Sequence, residues 1–137
     1  MRVGPSVAVL ALIVLPGADS AAAAVCLAKS VTQDEIVEAI NATRGCERAM
    51  KLFQECEFGT SGDIRLGAAV ERKCEGDFLS RLTAQQKQAY QREMRVCDRK
   101  YRNESGTMYL SFTAFCRAEA ARRYSRQALK AARTPSR

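Results

Sequence analysis

Residues 83–101 read T-A-Q-Q-K-Q-A-Y-Q-R-E-M-R-V-C-D-R-K-Y, and residues 108–124 read M-Y-L-S-F-T-A-F-C-R-A-E-A-A-R-R-Y, with R-N-E-S-G-T between them. In the first run Tyr90, Met94, Cys97 and Tyr101 recur at steps of four, three and four. In the second, Met108, Phe112, Cys116 and Ala120 repeat every four residues, with Tyr124 beyond. Both periods are those of one helix face, so the stretch is predicted to be two amphipathic helices joined by a turn. Thr83 followed three residues later by Gln86 fits a capping box that starts the first helix. Cys97 and Cys116 stand equidistant from Gly106/Thr107. In an antiparallel helix hairpin such residues face each other, which suits a disulfide between the two helices.

The same pattern extends upstream. Thr32 and Glu35 form a second capping box, and Ile36, Val37 and Ile40 give the face of the helix behind it. A break is expected near Gly45, followed by a second face of Cys46, Met50 and Phe53. Gly59-Thr60-Ser61-Gly62 is a turn, and Asp63 is expected to cap the helix that follows, whose stripe is Leu66, Val70, Cys74 and Phe78. No segment alternates as a strand does. The predicted class is all-α: a small antiparallel bundle of four to five helices stapled by disulfides, spanning residues 25–132, with 133–137 a disordered tail and fraying from Lys130 onward.

Residues 1–24 have the layout of a secretory signal: Arg2, the apolar V-A-V-L-A-L-I-V-L, Pro16-Gly17, then A-A-A-A. The apolar run is about half the ~20 residues of a membrane span. Export to a periplasmic or secreted location makes the six cysteines an oxidised set. They allow fifteen connectivities. Hairpin symmetry favours Cys97–Cys116 and, about the Gly59–Gly62 turn, Cys46–Cys74, leaving Cys26 with Cys56. A shift of one helical turn would exchange partners.

The chain has no His and no Trp. Absence of His excludes c-type haem attachment, His-containing zinc sites and every His-based catalytic dyad or triad. No C-x-x-C occurs, which removes thioredoxin-like redox chemistry. Paired-carboxylate hydrolysis would have to draw on Glu71, Glu75, Asp77, Glu93, Asp98, Glu104 or Glu119, which read more simply as solvated helix faces. No enzyme, cofactor or metal is expected.

Charge is unevenly spread. Residues 27–75 hold seven Lys/Arg against nine Asp/Glu; residues 76–137 hold fourteen against five. The resulting basic surface would comprise Arg92, Arg95, Arg99, Lys100, Arg102, Arg117, Arg122, Arg123 and Arg126. Anionic lipid, cell-wall polymer or an acidic protein would suit it, and export makes nucleic acid an unsuitable partner.

The order L-T-A-Q-Q from Leu82, then Cys97, then Gly106-Thr107-Met108, then Cys116 with R-A-E-A-A-R-R behind it, resembles the exported LprI-type lysozyme-inhibitor family over Leu82 to about Leu129. The resemblance implies a small helical, disulfide-bonded domain of bacterial envelopes that binds lysozyme. Common lysozymes are cationic, so such binding would have to present the acidic N-terminal half, Asp34, Glu35, Glu38 and Glu47.

Overall fold

The computed structural model describes Cys26 and residues 31–134. Over residues 31–134, five α-helices follow one another, α1 (Gln33–Ala42), α2 (Cys46–Cys56), α3 (Asp63–Glu75), α4 (Ala84–Lys100) and α5 (Met108–Arg133), with a 3₁₀ turn at Leu79–Arg81 leading into α4. No strand occurs among the described residues. The signal assigned to residues 1–24, and residues 135–137 of the tail, lie outside them. Helix α5 runs unbroken through Lys130 to Arg133, past the point where fraying is expected from sequence.

Local chemistry sets the boundaries. Thr32 and Thr83 head α1 and α4 with complete capping boxes: Thr32 N–H donates to Glu35 at 2.6 Å and Thr83 N–H to Gln86 at 2.8 Å. Reciprocal bonds of this kind satisfy helix N–H groups that would otherwise lack partners. The break between α1 and α2 falls at Gly45, whose φ of 90° is a backbone state that side chains resist.

Asp63 departs from its expected role. It does not cap α3 from outside; it is the helix's first residue, fully buried. Its carboxylate accepts the N–H groups of Phe58 and Gly59, at 2.8 and 2.9 Å, and the Ser111 hydroxyl at 2.6 Å. Three donors offset the desolvation of the carboxylate and fasten the preceding turn and α5 to α3.

Successive helices alternate in direction. Helix α3 is the hub and packs on α1, α2 and α5; α4 docks chiefly on α5. The α3–α5 pair is therefore parallel, and its register is written in three polar contacts: Ser111 to Asp63, Arg117 to Glu71, and Ser125 to Asp77. Their sequence offsets are 48, 46 and 48. Between the two serine contacts the helix backbones come close at Gly67, where an added Cβ would lie 2.9 Å from Ala114 Cβ and 3.1 Å from Ala114 O.

That close approach corrects the expected face of α5. The buried row is Ser111, Ala114, Ala118, Ala121 and Ser125, a heptad of small residues, with Ala120 beside it. Met108 and Phe112, expected in the core, are exposed. Spacing was read from the large residues, but the closest helix contact selects the small ones. Elsewhere the core follows the expected stripes: Ile36 and Ile40, Cys46, Met50 and Phe53, Leu66, Val70, Cys74 and Phe78, then Tyr90, Met94 and Cys97 are buried. Phe53 stacks on Phe115 at 4.0 Å, while Phe78, Tyr90 and Tyr124 form a second cluster with centroids 5.0–5.4 Å apart.

Both pairings inferred from hairpin symmetry, and the third that they leave, are present. Cys97–Cys116, Cys46–Cys74 and Cys26–Cys56 have Cα separations of 5.5, 4.5 and 5.3 Å. Each lies within the range a disulfide spans. The first staples α4 to α5, the second α2 to α3, and the third ties Cys26 to the end of α2.

Candidate functional site

The nine cations expected to form one basic surface divide in two. Those of α5 are ion-paired. Arg117 places its guanidinium between Glu71 of α3, at 2.8 Å, and Asp98 of α4, at 2.8 Å. The hydrogen bonds to Glu71 are the main reason that its pKa is raised. Arg122 meets Glu47 and Glu119, Arg123 meets Glu93, and Arg126 forms a bidentate pair with Glu47. The Arg126 bond holds the Glu47 carboxyl below its ordinary pKa, with Arg122 adding to the effect.

Those of α4 are not neutralised. Among the described residues, Arg92, Arg95, Arg99, Lys100 and Arg102 form no ion pair. Arg92, Arg95 and Arg99, spaced three and four apart, share one helix face, and Arg102 follows in the turn. All five are exposed. The face lies opposite Tyr90, Met94 and Cys97, which meet α5. The two acidic residues of α4 turn away from it, Glu93 toward Arg123 and Tyr124, Asp98 toward Arg117. A helix docked mainly on one neighbour thus exposes an uncompensated row of positive charge.

Of the carboxylates considered for hydrolysis, all but Glu104, exposed in the α4–α5 turn, are hydrogen-bonded in the packing. Glu71 and Asp98 accept from Arg117, Asp77 from Ser125, Glu93 from Tyr124 and Arg123, Glu119 from Arg122. Glu75 accepts from Tyr90 at 2.9 Å; burial above all, then the nearby Glu71, raises its pKa despite that bond. Burial, reinforced by Glu75, raises the Tyr90 phenol well above its ordinary value. No cluster of three or more metal-ligating side chains occurs among the described residues, and the six cysteines are all in disulfides.

An apolar feature accompanies the basic row. The end of the bundle that carries the α4–α5 turn also holds the start of α3, as the Ser111–Asp63 bond requires. Tyr101, Tyr109 and Phe112 pack ring against ring there, 5.6–5.9 Å apart. Lys100 lies 5.2 Å from the Tyr101 ring centre. Exposed Phe58, Ile64, Met108, Leu110 and Phe112 gather at this end, and Val96 lies on α4 beside Arg92, Arg95 and Arg99. A groove of about 360 Å³ opens between α3 and α5, floored by Gly67 and Ala114, flanked by Ile64 and Leu110, and closed by the Glu71–Arg117–Asp98 network. Sequence reasoning missed this apolar end because it assigned Met108 and Phe112 to the core; the heptad of small residues in α5 was the signal that would have freed them.

No family model, curated protein or solved structure matches the chain significantly. No helix among the described residues is long and apolar enough to cross a membrane.

Proposed function

We propose that this chain is an exported, non-enzymatic binding protein of the bacterial envelope that holds an anionic surface through the outer face of α4. One observation carries the reading: Arg92, Arg95 and Arg99 share an exposed face of α4, with Lys100 and Arg102 following at its end, and none of the five forms an ion pair, while Arg117, Arg122, Arg123 and Arg126 of α5 are all ion-paired. Three disulfides and the signal-like start support an oxidising, extracytoplasmic setting. An exposed row of like charges raises the local concentration of opposite charge and speeds its capture.

Lysozyme binding, implied by the LprI-type resemblance, has less of the surface behind it. Of the acidic residues it would present, Asp34 pairs with Arg65, Glu35 serves the α1 cap and Glu47 binds Arg122 and Arg126. Lysozyme activity in the presence of micromolar oxidised protein tests that form directly.

For the electrostatic reading, the oxidised chain is applied to an immobilised acidic polymer and to anionic vesicles across a salt series. Retention at low salt should fall steeply toward 1 M, where the Debye length is only about 3 Å. Arg92→Glu/Arg99→Glu should abolish it, with helix content unchanged. Retention that ignores both salt and charge reversal contradicts the proposal.

A further inference from the structure

We infer that the surface held by α4 is an anionic lipid bilayer, and that the hairpin end of the bundle inserts its exposed apolar side chains among the headgroups. The inference rests on the electrostatic reading above and adds the apolar half of the contact.

The two halves adjoin. Arg99, Lys100 and Arg102 flank Tyr101 in sequence, and Tyr101 packs against Tyr109 and Phe112. Met108 is 47% exposed, Phe112 40% and Val96 54%, so water meets large apolar side chains beside cations that have no counter-charge. Of the large apolar residues that are exposed among the described ones, only Leu129 lies toward the opposite end of the bundle. Partly buried tyrosines with cations alongside are suited to the boundary between headgroups and acyl chains. Lys and Arg then meet the phosphates while Met and Phe leave water.

Other occupants fit less of this surface. A second copy in a twofold contact would bring the α4 cations against their own equivalents. A soluble polyanion satisfies the charges and leaves Val96, Met108 and Phe112 in water. A cationic protein is repelled. An anionic surface with an apolar layer beneath it answers both features.

The absence of Trp makes insertion directly readable. Met108→Trp places a reporter at the hairpin end, and Gln127→Trp places a control on the far half of α5, where Gln127 is exposed. Each full-length, oxidised variant is mixed with vesicles of phosphatidylglycerol and phosphatidylcholine carrying brominated acyl chains, and separately with a soluble acidic polymer. Emission from position 108 should shift to the blue and be quenched on the vesicles, but neither on the polymer nor at position 127. Met108→Ser/Phe112→Ser, with two exposed side chains changed, should weaken vesicle binding about tenfold through lost apolar burial while leaving polymer binding intact. Vesicle binding with the 108 reporter still in water overturns insertion and leaves the electrostatic reading standing. So does capture by the polymer but not by vesicles. Failure to bind either one overturns that reading and this inference together.

Discussion

Gly67→Ala puts the parallel α3–α5 contact under direct strain. Considered alone, α3 should welcome the change, since Ala is favoured over Gly by about 1 kcal/mol in a helix interior. The structure opposes it, because the new methyl would sit 2.9 Å from Ala114 Cβ and 3.1 Å from Ala114 O. Carbon pairs at rest lie roughly 3.5–4.0 Å apart, so the helices must part by nearly an ångström. Overpacking of this kind costs about 1–3 kcal/mol. The parting also pulls on the buried Ser111–Asp63 bond one turn away. Overpacking less the helix gain leaves about 0–2 kcal/mol, and strain on that buried bond brings the expected net loss to about 1–2 kcal/mol, or a fall in Tm of roughly 5–10 °C for a domain of this size. Equilibrium denaturation with the disulfides intact, followed by far-UV circular dichroism, measures it. Adding Ala114→Gly should return part of the loss as a coupling of about 0.5 kcal/mol or more. If Gly67→Ala is as stable as the native chain or more so, helix propensity has prevailed and the argument from close approach is wrong.

Two further perturbations test other parts of the framework. Replacing Cys97 and Cys116 together by Ala opens a loop with a sequence separation of 19 and should cost about 3 kcal/mol in the chain-entropy account; non-reducing peptide mapping of the native protein that linked Cys97 elsewhere would remove the basis of that figure. The dependence on pH should show two opposed contributions. Glu47 has a lowered folded pKa, so its share of stability is present above its ordinary value of 4.5 and is lost as pH falls through the folded pKa. Glu75 has a raised one, so its share is full below 4.5 and is lost as pH rises through the folded pKa. Glu75→Gln removes the second contribution. Relative to the native chain it should gain Tm as pH rises across that interval, and a difference that stays flat with pH would show that Glu75 does not titrate as its burial requires.

How much was legible in sequence depended on whether the deciding interaction was local. Capping boxes at Thr32 and Thr83 act within four residues, so the residue types were enough. The disulfides were readable because hairpin symmetry converts sequence distance into facing positions, with Cys97 and Cys116 on either side of one turn and Cys46 and Cys74 on either side of another. Asp63 was misjudged because its carboxylate turns back to the N–H groups of Phe58 and Gly59 and across to Ser111, 48 residues away, rather than forward onto α3. The face of α5 was misjudged for the same kind of reason. A stripe of Met, Phe and Cys outweighs one of Ser and Ala on any hydrophobicity count, yet Gly67 on the facing helix favours close packing of small residues over bulk.

The charge distribution follows from the same topology. In sequence the positive excess lies over the whole C-terminal half, and α5 carries more of it than α4. Folding treats the two helices differently. Helix α5 lies against α2, α3 and α4, and each contributes a carboxylate: Glu47, Glu71, and Asp98 with Glu93. Helix α4 meets chiefly α5, and its own Glu93 and Asp98 pair with Arg123 and Arg117 there, so among the described residues no carboxylate pairs with Arg92, Arg95 or Arg99. A net charge spread evenly over a surface serves solubility alone. Here Arg117, Arg122, Arg123 and Arg126 of α5 are offset by pairs, and the unpaired row on α4 lies beside the apolar end of the hairpin. The relevant comparison is therefore between faces rather than halves of the chain. Charge reversal at Arg117 or Arg126 should act mainly on stability, and reversal at Arg92 or Arg99 mainly on binding. A reversal at Arg99 that unfolded the protein, or one at Arg126 that abolished binding without loss of stability, would contradict this division of roles.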